Sequence, residues 1–184
     1  KLYNNVIKEV RKSSRSRWEK RQYAIDLRKN LGQILEDAGR YRESLDQRIE
    51  WINLTAINDG ILREVDQFAR ANGVLDVLNT YYVKLMDRSP KDFRWSTIVG
   101  DLAFMDGRGA DAIEPYRKAS ANEPQRVDLR EKLALALTQQ GRYGEAAEAY
   151  RGITEISQGN RWIIRLGEVL FLDRRRNDAK EALD

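Results

Sequence analysis

Two helical stripes of this sequence carry the same chemistry. Arg94-Trp95, Val99-Gly100-Asp101 and Phe104 return as Arg161-Trp162, Leu166-Gly167-Glu168 and Phe171, each displaced by 67 residues. An Arg, a carboxylate and an aromatic on one stripe suit an extended peptide, with charge pairing to fix its register and the ring for apolar contact. A plainer reading stands beside this one: both segments descend from one ancestral repeat, and Trp95 and Trp162 pack between units. A second set is basic. Lys8, Arg11, Lys12, Arg15, Arg17, Lys20 and Arg21 face only Glu9 and Glu19 in the same stretch, a local excess of five that more than accounts for the net charge of +4. These cations could contact nucleic-acid phosphates or an acidic partner, or form the solvated face of a helix. Trp18 and Tyr23 could stack on bases, yet no recognised nucleic-acid module surrounds them, so nucleic acid is the disfavoured alternative.

The absent residue types exclude more than the present ones assign. With no Cys and no His, disulfides, thiolate nucleophiles, imidazole acid–base pairs and the usual zinc or haem ligands are all removed. Carboxylates are plentiful, as in Glu36-Asp37 or Glu145 with Glu148, but they lie among Arg and Lys. A glycosidase needs two across a cleft with one held protonated. We therefore expect no enzyme, no cofactor and no metal. Charged residues make up 34% and hydrophobic ones 41% of the 184, a balance suited to a soluble helical chain. No window approaches the roughly 18 consecutive apolar residues of a membrane span. A cytoplasmic setting is preferred, although a chain without Cys is compatible with either redox compartment. Opening at Lys1 without Met and ending at Asp184 within a helical pattern, the chain is expected to be an excerpt of a longer protein.

The elements that position these residues follow from a period. Gly107, Ala112, Tyr116 and Pro124 recur 34 residues later as Gly141, Ala146, Tyr150 and, less faithfully, Gln158. The same step backwards gives Gly73 and Gly39, and pairs Pro90 with Pro124. A constant period in this range marks a stacked-repeat protein. Gly can take the left-handed conformation that closes one helix before a tight turn, and Pro separates one unit from the next. Around Gly141, Leu129, Leu133, Ala136 and Leu137 precede, and Ala146, Ala149, Tyr150 and Ile153 follow, at the spacing of helices with one buried stripe. Each unit reads helix, turn, helix, with Ala112 and Ala146 letting the second helix approach closely.

In period, in its Leu-Gly first-helix pair (Leu31-Gly32, Val99-Gly100, Leu133-Ala134, Leu166-Gly167) and in its Ala-x-x-x-Tyr second helix, the chain resembles the tetratricopeptide repeat. The resemblance covers about Tyr23 to Asp184 and implies an all-α solenoid, a right-handed superhelix of about five helix–turn–helix units. The units are placed at 23–56, 57–90, 91–124, 125–159 and a truncated 160–184, behind a leading helix over 1–22. That helix is read as the second helix of a degenerate preceding unit, running through Trp18 with Asn5 at its left-handed position. The first unit is weaker, with Ser44 and Arg48 in place of the small and aromatic pair. In the last, Arg174, Arg175 and Arg176 are expected to cap the carbonyl end of the helix before them, as the helix dipole favours.

The resemblance also implies a task. First helices of the family line a concave face that takes peptides, which puts Lys29, Gln33 and Glu36, then Arg63, Gln67 and Arg70, then Arg94, Thr97, Asp101 and Phe104 on that face. Asp128, Glu131, Leu135 and Thr138 follow, and Arg161, Ile164, Glu168 and Phe171 complete it. The family's carboxylate clamp does not carry over: Lys29 fits its first position, but Gln33 and Glu64 stand where Asn is usual and Ile98 where a cation is needed. The expected function is a non-catalytic protein- or peptide-binding scaffold with a partner of unknown identity. The alternatives are a nucleic-acid-associated repeat protein using the Lys8–Arg21 edge, and self-assembly through the apolar end formed by Leu166, Leu170 and Leu183.

Overall fold

Four glycines set the chain's rhythm. Gly39, Gly73, Gly107 and Gly141 have φ of 69°, 66°, 75° and 68°, and no other described residue has positive φ. At each, the following residue's N–H reaches back five positions, from Arg40 to Leu35, Val74 to Ala69, Arg108 to Ala103 and Arg142 to Leu137, at 2.8–2.9 Å. The glycine N–H meanwhile takes the carbonyl three residues before it. This pair of bonds closes a helix only when the residue between can adopt the left-handed region. A Cβ at Gly107 would meet nothing within 4 Å, so its constraint is purely one of backbone. Gly107→Ala is expected to lower stability by about 1–2 kcal/mol, and Gly107→Asn by less. The check is urea unfolding against Gly144→Ala, a helical glycine with equally open space, which should lose nothing.

The computed structural model describes residues 2–55, 59–157 and 159–181, with the side chains of 2–4, 7, 11, 59 and 175–181 left out. Among the described residues are ten helices: α1 (Leu2–Lys12), α2 (Arg17–Asp37), α3 (Tyr41–Leu54), α4 (Asp59–Ala71), α5 (Leu75–Arg88), α6 (Phe93–Met105), α7 (Gly109–Asn122), α8 (Val127–Gln139), α9 (Tyr143–Ile156) and α10 (Asn160–Glu181). No strand accompanies them among those residues, and the fold is an all-α solenoid of helical pairs. The chain divides into two compact bodies, 1–81 and 82–184, with the boundary inside α5. No described helix is long and apolar enough to cross a membrane.

In the carboxy-terminal body, α6/α7 and α8/α9 pack as the period predicts. Ala112 and Ala146 are fully buried where the paired helices touch, and Tyr116 and Tyr150 lie a turn beyond them, also buried. Their apolar neighbours Ala103, Ile113, Ala134, Leu137, Ile153 and Trp162 complete one core. Trp95, 4% exposed, stacks on Tyr82 at 6.2 Å between ring centroids, so the two repeated Trp do pack between helices. The amino-terminal body uses a different pair at the same register. Ser44, fully buried, donates from its hydroxyl to the Gly32 carbonyl at 2.7 Å. Arg48 lays its guanidinium 4.1 Å from the Phe68 ring centroid and donates to Glu36 at 2.6 Å and Glu64 at 3.3 Å. At this register the weaker first unit is held by Ser44 and Arg48.

Both ends depart from expectation. The leading helix does not run through Trp18. It stops at Lys12, and Asn5 lies within it without positive φ. Serines do what Gly and Pro were expected to do. Ser13 turns its hydroxyl onto the Val10 carbonyl at 2.6 Å, and Ser16 caps α2 in a reciprocal box with Glu19, the local competition for backbone groups that ends helices. At the other end α10 continues to Glu181, so Arg174 sits inside a helix and caps no carbonyl end. One period after Gly141 the left-handed position falls on Arg, and with no Gly the helix has no ready residue on which to turn. Gln158 and Leu183 lie outside the described residues, as do the side chains of Arg11, Arg175, Arg176 and Ala179.

Candidate functional site

The first-helix residues of the carboxy-terminal body converge where α6, α7 and α8 meet. Tyr116 reaches from α7 between the other two helices and donates its phenol to Asp101 at 2.8 Å. Lys132 on α8 donates to the same carboxylate oxygen and stands 5.8 Å from the Tyr116 ring centroid. Burial, then the hydrogen bond to Asp101, pushes the Tyr116 phenol well above its ordinary pKa. It stays a neutral donor and holds the carboxylate in place. Phe104 packs against Tyr116 at 6.4 Å between centroids, tilted by 57°. Phe104, Met105 and Leu135, together with Asp101, Tyr116 and Lys132, line a depression of about 300 Å³. Its walls are apolar and its charged edge is an internally compensated pair, an arrangement that accepts an apolar side chain without leaving a charge uncovered.

Gly100 explains why the floor is flat. A Cβ there would come within 2.6 Å of two ring carbons of Tyr116, so the ring rests directly on the α6 backbone. The equivalent of Gly100 in the next repeat is Ala134, also fully buried, one period on.

The repeated Arg, carboxylate and aromatic separate in space. Arg94 donates to Asp92, the N-cap of its own helix, at 2.7 and 2.9 Å, which holds the Asp92 carboxyl below the usual range. Arg161 instead reaches Glu131 on α8, with both carboxylate oxygens at 2.9 Å, while its guanidinium lies 3.8 Å above the Trp162 ring. Glu168 is taken by Arg165 at 2.9 Å. Asp101 and Phe104 thus enter the depression and Arg94 does not. Arg161, Glu168 and Phe171 lie along α10, outside its lining. Apolar side chains are exposed on these helices alongside the paired charges: Met105 at 69%, Leu135 at 39%, Ile164 at 61% and Phe171 at 60%.

In the amino-terminal body Lys29 lies 4.3 Å from the Trp51 ring centroid, Gln33 donates to Asp37 at 2.9 Å and Arg70 to Asp66 at 2.8 Å. Arg63 and Gln67 are exposed on α4. No described cavity gathers these five. The basic run is divided between helices: Lys8 and Lys12 stand on α1, with Lys12 3.4 Å from Glu9, and Arg17, Lys20 and Arg21 on α2. Reasoning from sequence left out Lys132 and Met105. Lys132 stands one period after Ile98, the position where a cation had been sought, so the period itself carried that signal.

Residues 100–161 match the family model described as tetratricopeptide repeat. No curated protein sequence matches the chain. Its fold is similar to the crystal structure of MamA protein, at 18% identity over 86% of this chain and 87% of that one with a TM-score of 0.56. It is also similar to MamA 41-end from Desulfovibrio magneticus RS-1, at 19% identity over 87% and 89% with a TM-score of 0.53. At such identities the likeness is one of fold. Residues 100–161 are thus tetratricopeptide repeat, within a chain whose four glycine turns stand in one register and join paired helices throughout.

Proposed function

We propose that this chain is a protein-interaction scaffold whose carboxy-terminal body takes a peptide partner by its apolar side chains, anchored between Phe104, Met105 and Leu135. One observation carries the reading. On this face Arg94, Asp101, Lys132, Arg161 and Glu168 are each paired within the chain, whereas Met105 and Leu135 are exposed beside a depression of about 300 Å³. Breaking an internal pair to reach a ligand costs roughly what the new pair returns, so affinity rests on apolar burial, at about 25 cal/mol per Å². The Asp101–Lys132 pair offers an acceptor and a donor to the peptide backbone at the rim.

The test is a peptide library selected on the immobilised protein, with the enriched peptides titrated against variants. Leu135→Asp should weaken them by about tenfold or more, the equivalent of 1.4 kcal/mol, while Arg94→Ala changes affinity by less than about twofold. The reverse order would show that charge, not apolar contact, selects the partner, and no enrichment at all would remove the peptide-binding reading. The basic run does not favour nucleic acid here, because its cations are split between α1 and α2.

A further inference from the structure

The tyrosine that closes the depression returns one repeat later in different company. Tyr150 on α9 follows Tyr116 by 34 residues, is 2% exposed and belongs to the same core. The Tyr116 phenol is taken by Asp101. The residue 34 positions beyond Asp101 is Leu135, whose side chain has no acceptor. Among the described residues nothing accepts a hydrogen bond from the Tyr150 hydroxyl, although a buried phenol ordinarily finds a partner. Leu135 therefore has two effects: it walls the depression, and by register it leaves Tyr150 a donor that the chain does not answer.

The surroundings of that hydroxyl say what would answer it. The charges acting on the phenol are those of Arg165, Glu131, Glu168 and Arg161, whose side chains are 31–66% exposed. The hydroxyl thus faces the side of α8 and α10 that carries these groups, not the apolar core. They form two closed pairs, Arg161 with Glu131 and Arg165 with Glu168, each at 2.9 Å, and their charges sum to zero. Burial holds the phenol above its ordinary pKa, so it remains a neutral donor. A carboxylate gains little in such a place, because Glu131 and Glu168 repel it as Arg161 and Arg165 attract it. A neutral acceptor suits it better, and every peptide residue carries one in its backbone carbonyl.

We infer that the Tyr150 hydroxyl is a ligand-binding group, donating to a backbone carbonyl of the peptide whose apolar side chain sits between Phe104 and Leu135. The inference rests on the peptide-binding reading and adds to it a polar contact and a path, from α6 over α8 toward α10. Tyr150→Phe removes the hydroxyl alone. Titrated calorimetrically with a library-selected peptide, it should lower affinity about threefold to tenfold, the worth of one neutral hydrogen bond. The urea midpoint of the free protein should stay where it is, since no bond within the chain is lost, in contrast to Tyr116→Phe. Peptides with a single ester in place of an amide carry a weakened carbonyl. At one position the ester should weaken binding to the parent and have no further effect on Tyr150→Phe, which identifies the carbonyl by a double-mutant cycle.

A peptide that Leu135→Asp weakens and Tyr150→Phe binds as the parent does would overturn the inference and leave the peptide-binding reading standing. A Tyr150→Phe midpoint that falls together with affinity would also overturn it, because the hydroxyl would then have its acceptor within the chain. Coupling of Tyr150 to a carboxylate side chain of the peptide, with no ester position coupled, would do the same. A peptide indifferent to Leu135→Asp, or no enriched peptide, would remove both the inference and the reading beneath it.

Discussion

Tyr116→Ala is expected to lower the stability of the carboxy-terminal body by about 3–5 kcal/mol, the cost of deleting a buried aromatic. The ring is 3% exposed, rests on the Gly100 backbone and packs against Phe104. Truncation leaves a hole that glycine has no side chain to fill, so relaxation recovers little. It also removes a donor from Asp101. Tyr116→Phe isolates that last contribution and should cost about 1.5 kcal/mol, the low end for a hydrogen bond to a charged group, since Lys132 continues to hold the carboxylate. The converse change, Gly100→Ala, pushes a methyl against the ring and should cost about 1–3 kcal/mol by overpacking. Urea unfolding followed by circular dichroism measures all three. A Tyr116→Ala variant within about 1 kcal/mol of the parent would mean that the ring is not the floor of the depression.

The second large effect is expected at Arg48 in the amino-terminal body. Its side chain is only 14% exposed, against 32% for Glu36 and 54% for Glu64, and it stands where the later repeats place Tyr116 and Tyr150. Removing one partner of a buried pair costs about 3–5 kcal/mol, and the exposure of the two carboxylates reduces this through solvent screening. Arg48→Ala is therefore expected to cost about 2–3 kcal/mol, part of it from the stem and guanidinium stacked on Phe68. Arg48→Met keeps the stem and should recover a part. The readout is urea unfolding monitored by the fluorescence of Trp51, which is 5% exposed. If the Ala and Met variants unfold together with the parent, Arg48 does not join α2, α3 and α4.

These two positions show where the sequence was legible. The glycine register was readable because one residue type meets a backbone requirement that others meet at a cost, and the four glycine turns stand where the period places them. Arg48 read as a flaw because its partners, Glu36, Glu64 and Phe68, lie on neighbouring helices whose facing sides no local pattern reveals. The ends were misread for a simpler reason. A helix can be stopped by serine hydroxyls as well as by Gly or Pro, as at Ser13 and Ser16, and a period extrapolated past its last glycine does not force a turn, as in α10.

The same distinction holds at the candidate site. Asp101 and Phe104 were visible in the repeated stripe, but a list of charged residues does not show which of them are already satisfied. Arg94 is taken by Asp92, two positions away, and Arg161 by Glu131 in the preceding repeat. With those pairs drawn, the proposed contacts for a partner change from charged to apolar, with Met105 and Leu135 foremost among them.

The most direct measurement is a map of backbone amide shifts in the protein titrated with a library-selected peptide. The largest shifts are expected on α6 and α8 around Phe104, Met105, Lys132 and Leu135, and Leu135→Asp is expected to abolish them. Shifts centred instead on α2 and α4 around Lys29, Gln33 and Arg63, or on α10 around Ile164 and Phe171, with the Leu135→Asp variant binding as the parent does, would contradict it.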